Sequence, residues 1–162
     1  MEQNNTYQWF ALYTKARAEK KVYEQLRSIG IDAYLPLTKE LRQWSDRKKW
    51  VEVPVIHSYI FVYITPAEYM KVFDANGIVS YVSHKGKAIA IPDHEMEAMR
   101  RTVDNHLSFS VETNIICKGE TITIESGPLK GITGTITEIR GEKKFCMQIS
   151  HIGYTLVVNL DE

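Results

Sequence analysis

The spacing of apolar positions changes along the chain, and each change predicts an element. Residues 7–13 (YQWFALY) are short, aromatic and apolar, as expected of a buried strand. Ala18, Val22, Leu26 and Ile29 then recur at spacings of four, four and three, one face of a helix, and Gly30 stands at its natural stop. Residues 32–37 read as a second strand. In the polar stretch KELRQWSDRKKWVEVPV, Ser45 and Asp46 make a turn centre, which predicts a hairpin with a charged tip. Residues 57–64 are rich in aromatic and branched side chains and read as a strand. Thr65 and Glu68 stand three apart around Pro66, a capping-box signature that predicts a helix ending by Asn76 and Gly77. A strand over 78–83, a turn at Lys85, Gly86 and Lys87, and a helix over 93–103 with Met96, Met99 and Val103 inward complete this part.

The pattern changes near residue 108. Six of the nine glycines follow it, separating the β-prone runs 121–124, 132–139, 145–150 and 155–160. The Thr-Ile-Thr-Ile alternation at 121–124 has period two, so a strand puts both isoleucines on one face. Glycines and Pro128 oppose long helices here, each interior glycine costing about 1 kcal/mol relative to alanine. The expectation is an α+β chain: an α/β sandwich with a mixed, largely antiparallel sheet over 1–106, a linker over 107–115, and a small all-β barrel over 116–162.

Composition narrows the function classes. The 20 Lys+Arg balance the 20 Asp+Glu, but residues up to Ser108 hold 15 basic against 13 acidic and the remainder 5 against 7. The basic residues cluster, at Lys15, Arg17, Lys20, Lys21 and Arg27, and again at Arg42, Arg47, Lys48 and Lys49, which makes local positive potential on a neutral chain. The longest apolar run, 59–64, has six residues against the roughly 20 that span a bilayer, and the polar start MEQNNTYQ has no signal pattern. Two cysteines, Cys117 and Cys146, suit a reducing, cytoplasmic location. Phosphate loops, nucleophile elbows and paired metal ligands are all missing, and the five histidines are isolated, so neither an enzyme, a cofactor nor a metal is expected.

WFALYTKARAEKKVYEQL, VPVIHSYIFVYI, NGIVSYV and AIAIPDHEMEAM together resemble the N-terminal (NGN) domain of NusG-type transcription elongation factors. KGETITIESGPLKGITGTITEI looks like a KOW motif, with Gly127, Pro128, Gly131 and Gly134 in its spacing. Trp9, Tyr59, Gly77, Pro92 and SGPLKGITG are the most specific anchors. Two departures resemble the specialised RfaH/UpxY antiterminators more than the housekeeping factor: His57 and Ser58 replace a Pro-Gly pair, and Ile152 and Tyr154 flank Gly153 in place of Phe and Arg.

The resemblance implies a monomeric bacterial elongation and antitermination factor, without enzymatic activity. It would bind the RNA polymerase clamp helices, bridge the DNA cleft and suppress pausing or termination at specific operons. The matching polymerase-binding positions are Tyr59 and Phe61, two apart on one strand and so on one face, and Tyr81 on the next strand. The specialised branch also reads non-template DNA, for which Lys15, Arg17, Lys21, Gln25, Arg27, Arg42, Arg47, Lys48 and Lys49 are candidates. Gln25 would bond a base edge and the cations phosphates. Trp44 or Trp50 could stack on a base, but tryptophans at such spacing are more often core residues, and the core is the expectation for both. Ile152 and Tyr154 would form a KOW loop for a ribosomal protein or another factor. The competing reading is a KOW-containing RNA- or ribosome-binding module acting in translation, which needs no exposed aromatic patch.

Overall fold

The computed structural model describes residues 6–113, 117–149 and 152–159. The chain divides into two compact units between Ala90 and Ile91.

In the first unit, the apolar runs become β1 (Gln8–Thr14) and β5 (Tyr59–Ile64), the antiparallel centre of a sheet. β2 (Asp32–Tyr34) pairs outside β5 and β6 (Ile78–Tyr81) outside β1, giving the order β2-β5-β1-β6, and β9 (Ala90–Ile91) also pairs with β1. Side chains alternate across a strand. Leu12, Ile60, Val62 and Ile64 therefore share one face, where Val22 and Leu26 of α1 (Glu19–Ser28) join the same core. The helix stops as its spacing predicts: Gly30 takes φ +83°, and the Ile31 amide donates to the Leu26 carbonyl at 3.0 Å. Gly77 lets the loop before β6 approach α1, since a Cβ there would lie 3.0 Å from Val22 Cγ2.

Two elements differ from expectation. The segment after Thr65 is two 3₁₀ turns, Pro66–Glu68 and Lys71–Asp74, in place of one α-helix. Glu68 Oε1 does accept the Thr65 amide at 3.2 Å, so the capping residues act at this start. Tyr69, Val72 and Ala75, all buried or half-buried, recur every third residue, the period of the tighter helix. The predicted hairpin forms as β3 (Leu37–Gln43) and β4 (Lys48–Pro54), but as a separate two-stranded sheet with both faces largely exposed. A second small hairpin, β7 (Ser83–His84) and β8 (Lys87–Ala88), turns at Lys85 and Gly86.

The second unit contains α2 (Asp93–Asp104) and strands β10 (Phe109–Thr113), β11 (Glu120–Thr123), β12 (Thr133–Ile139), β13 (Glu142–Ile149) and β14 (Tyr154–Asn159). Their order is β10-β14-β13-β12-β11, with every neighbouring pair antiparallel. The 121–124 and 132–139 runs are thus strands, as their period predicts. The expected linker over 107–115 is corrected in part: residues 109–113 form β10, because β14 offers its other edge to their backbone. α2 packs against β13, and its Arg101 guanidinium donates to the Lys130 carbonyl. No helix among the described residues is long and apolar enough to cross a membrane.

Candidate functional site

The three aromatic candidates do not form one surface. Tyr59 stands opposite Tyr13 and Phe61 opposite Ala11 in the β1–β5 register, whereas Tyr81 stands opposite Leu12 in the β1–β6 register. Parity then puts Tyr81 on the α1-facing side and Tyr59 with Phe61 on the reverse. Phe61 is 0% exposed and Tyr81 4%, so the expected patch is corrected to one half-buried residue, Tyr59, whose ring lies 4.9 Å from that of Tyr13. Tyr13 itself is 37% exposed.

Tyr81 is a core residue with a polar tip. Its ring stacks on Tyr69 at 4.2 Å, meets Phe10 and Phe73 edge-on, and its hydroxyl donates to the Tyr69 carbonyl at 2.6 Å. Burial above all, then Tyr69 and Glu68, holds its ionisation well above the ordinary tyrosine range. Tyr81→Phe is expected to cost about 1 kcal/mol, measured by urea unfolding. The folded pKa is raised, so the contribution of Tyr81 is intact below the unfolded value of about 10 and lost as pH rises beyond it. The Phe variant should lose part of that alkaline fall in stability.

The basic candidates separate into distinct places. Arg17, with φ +64°, joins Lys20, Arg42 and His57 around a cleft of about 540 Å³ between the start of α1 and the hairpin. Glu19 and Glu52 also line it, and Lys20 Nζ donates to the Glu52 carbonyl at 2.7 Å. Lys15, Lys21, Arg47, Lys48 and Lys49 are exposed. Arg27 lies 3.5 Å from Asp32 and Arg42 3.5 Å from Glu40, exposed pairs of the kind that contributes little.

Gln25 is a correction. Its Oε1 accepts the Asn76 amide at 2.9 Å and its Nε2 donates to the Asn76 carbonyl at 3.4 Å, so the amide that was to read a base edge instead holds the loop before Gly77. Glu19 does a similar job at the other end of α1. Its buried carboxylate accepts the Ser58 amide at 2.9 Å, where Ser58 takes φ +66°. In sequence an acidic first-turn residue signals only a favourable helix dipole, so this anchor had no signature.

The glycine-rich turn between β11 and β12 is built as its sequence suggests. Gly127 and Gly131 take φ +85° and +86°, Leu129 is buried between them, and the Gly131 amide donates to the Ile124 carbonyl at 2.8 Å. Pro128 is exposed on this turn. Gly134 is required by proximity: a Cβ there would lie 2.6 Å from Phe145 Cζ. Ile152 and Tyr154 are half-buried on either side of Gly153. Cys146 is buried, and its thiol is pushed up to about 12 by burial first and by Cys117 second, which makes it a poor nucleophile. No cluster of metal-ligating side chains occurs among the described residues.

Residues 7–100 match the family model NusG, described as transcription termination factor nusG. The chain belongs to the NusG family. Two similar curated relatives are the NusG transcription termination/antitermination proteins of Rickettsia typhi and Rickettsia conorii. The first is 23% identical over 172 residues, covering 98% of this chain and 88% of the relative. The second is 24% identical over 154 residues, covering 87% and 79%. Among solved structures, one of Thermotoga maritima NusG, titled for its domain interaction, shares the fold with a TM-score of 0.53 at 21% identity. That match covers 96% of this chain and 94% of the other. The NusG family model spans β1 through most of α2, so the aromatic face and both basic groups lie inside it. The glycine-rich turn falls outside that model.

Proposed function

We propose that this NusG-family chain is an elongation and antitermination factor of the specialised RfaH/UpxY kind. It binds the RNA polymerase clamp helices through its first unit and holds the cleft closed. No covalent chemistry is needed. A partner that binds the closed state better than the open one shifts the population by that difference in affinity.

The observation that carries this reading is the family-model match across residues 7–100, which contains the aromatic positions. One accessible part of the Tyr59 and Phe61 face is the Tyr13–Tyr59 pair, with Phe61 buried on the same strand face. Specialisation toward non-template DNA is supported by His57, one of the two departures from the housekeeping pattern, which lines the cleft with Arg17, Lys20 and Arg42. In the second unit, Ile152 and Tyr154 are the surface for a ribosomal protein or another factor.

Burying one aromatic side chain against a partner contributes about 1.5–3 kcal/mol. Tyr59→Ala is therefore expected to weaken retention of core polymerase by roughly ten- to hundredfold, with the unfolding midpoint little changed. Tyr13→Ala should act in the same direction. A Tyr13/Tyr59 double variant that retains polymerase like the parent chain would overturn the assignment of this surface.

A further inference from the structure

The β3–β4 hairpin sorts its side chains by parity into two unlike faces. Arg42 stands opposite Lys49 on one face, the one that turns Arg42 into the basic cleft. On the other face Leu41 stands opposite Trp50, with the pairs Lys39–Glu52 and Gln43–Lys48 on either side. Trp50 is 63% exposed, Leu41 46%, and Trp44 in the turn 50%. The turn is ordered by the Trp44 amide, which donates to the Arg47 carbonyl at 2.7 Å. Two exposed indoles, one on a separate sheet and one in its turn, are therefore a feature of the fold, and the polymerase reading does not use them.

Flat aromatic surface interleaved with cations is the chemistry of a single nucleic-acid strand: bases stack on the rings while ammonium groups track the phosphates. A duplex offers its base faces to its own stack, so an indole plane finds them only where the strands have separated. An apolar protein partner would have to desolvate Lys39 and Lys48 beside the rings, at a cost that phosphates remove. Seven paired residues at about 3.4 Å each make an arm roughly 24 Å long, enough for several nucleotides.

We propose that the Leu41–Trp50 face of the hairpin, with Trp44 at its tip, binds single-stranded DNA by stacking, with Lys39 and Lys48 on the phosphates. This rests on the non-template DNA reading above and gives it a second face of the hairpin, whose Glu52, opposite Lys39, also lines the Arg17–Arg42 cleft. It assigns the tryptophans to the strand and the cleft cations to a different part of it.

The test is a fluorescence titration of the full chain with oligodeoxythymidylate at low salt. Trp9 is only 7% exposed, so quenching reports chiefly on Trp44 and Trp50. The parent chain should be quenched, Trp50→Ala should bind about tenfold more weakly, and Trp50→Phe should keep most of the affinity. Arg42→Ala should lower affinity without lowering the quench at saturation. Unchanged affinity in Trp50→Ala, binding without quenching, or a preference for duplex would each overturn the proposal. Tighter binding to oligouridylate would overturn the choice of DNA. Polymerase retention by the parent chain is measured in parallel: retention without any oligonucleotide binding sinks this inference alone, and oligonucleotide binding without retention sinks the polymerase reading alone.

Discussion

Phe61→Ala is expected to lower stability by about 3–5 kcal/mol, enough to unfold a marginal domain. The side chain is 0% exposed on the central strand β5, opposite Ala11 on β1 and Tyr34 on β2. The position is enclosed between two paired strands, so a cavity is the expected result. Urea unfolding of the intact chain measures the change. The prediction separates Phe61 from Tyr59, although the two stand on one strand face. Loss of polymerase binding in a Phe61 variant would report on folding, whereas loss in a folded Tyr59 variant would report on contact. A Phe61→Ala midpoint near that of the parent would mean the position is not a packed core site.

Gly134→Ala is expected to destabilise the second unit by about 1–3 kcal/mol, through crowding. The added methyl would meet Phe145 Cζ and the Cys146 carbonyl, both at 2.6 Å, and Phe145 is itself 0% exposed. Neither neighbour can yield easily: the carbonyl belongs to β13, whose Cys146 pairs with Thr135 of β12, and the ring is enclosed. The expected result is a lower unfolding midpoint and faster amide exchange along β12 and β13, with the β1–β5 pairing unaffected. If the variant melts like the parent, the glycine spacing of this motif is not set by packing at Gly134.

Much of the fold follows from local pattern. The Val22 and Leu26 spacing gives α1, the glycine after it gives the stop, and the period of two at 121–124 gives a strand and not a helix. Relations between strands are less accessible. The parity that parts Tyr81 from Tyr59 depends on which residue of β1 each faces, and a shift of one residue would have joined them. The same limit explains Gln25 and Glu19, whose partners lie 51 and 39 residues away. A tryptophan at such spacing is more often a core residue than a stacking platform, so local pattern favours an inside position for Trp44 and Trp50. They are exposed because the hairpin that bears them forms its own two-stranded sheet, and among the described residues no third strand pairs with it.

That two-faced hairpin also constrains how such an arm can change over evolutionary time. Residues added in matched pairs at the tip would lengthen it while leaving Arg42 and Lys49 on one side and Leu41 and Trp50 on the other. A single inserted residue in either strand would break the ladder with a bulge or carry that strand's side chains across to the wrong side. Strand length can therefore drift in steps of two without mixing the faces, and descendants with an odd number of residues inserted within the paired strands should carry a bulge at the insertion.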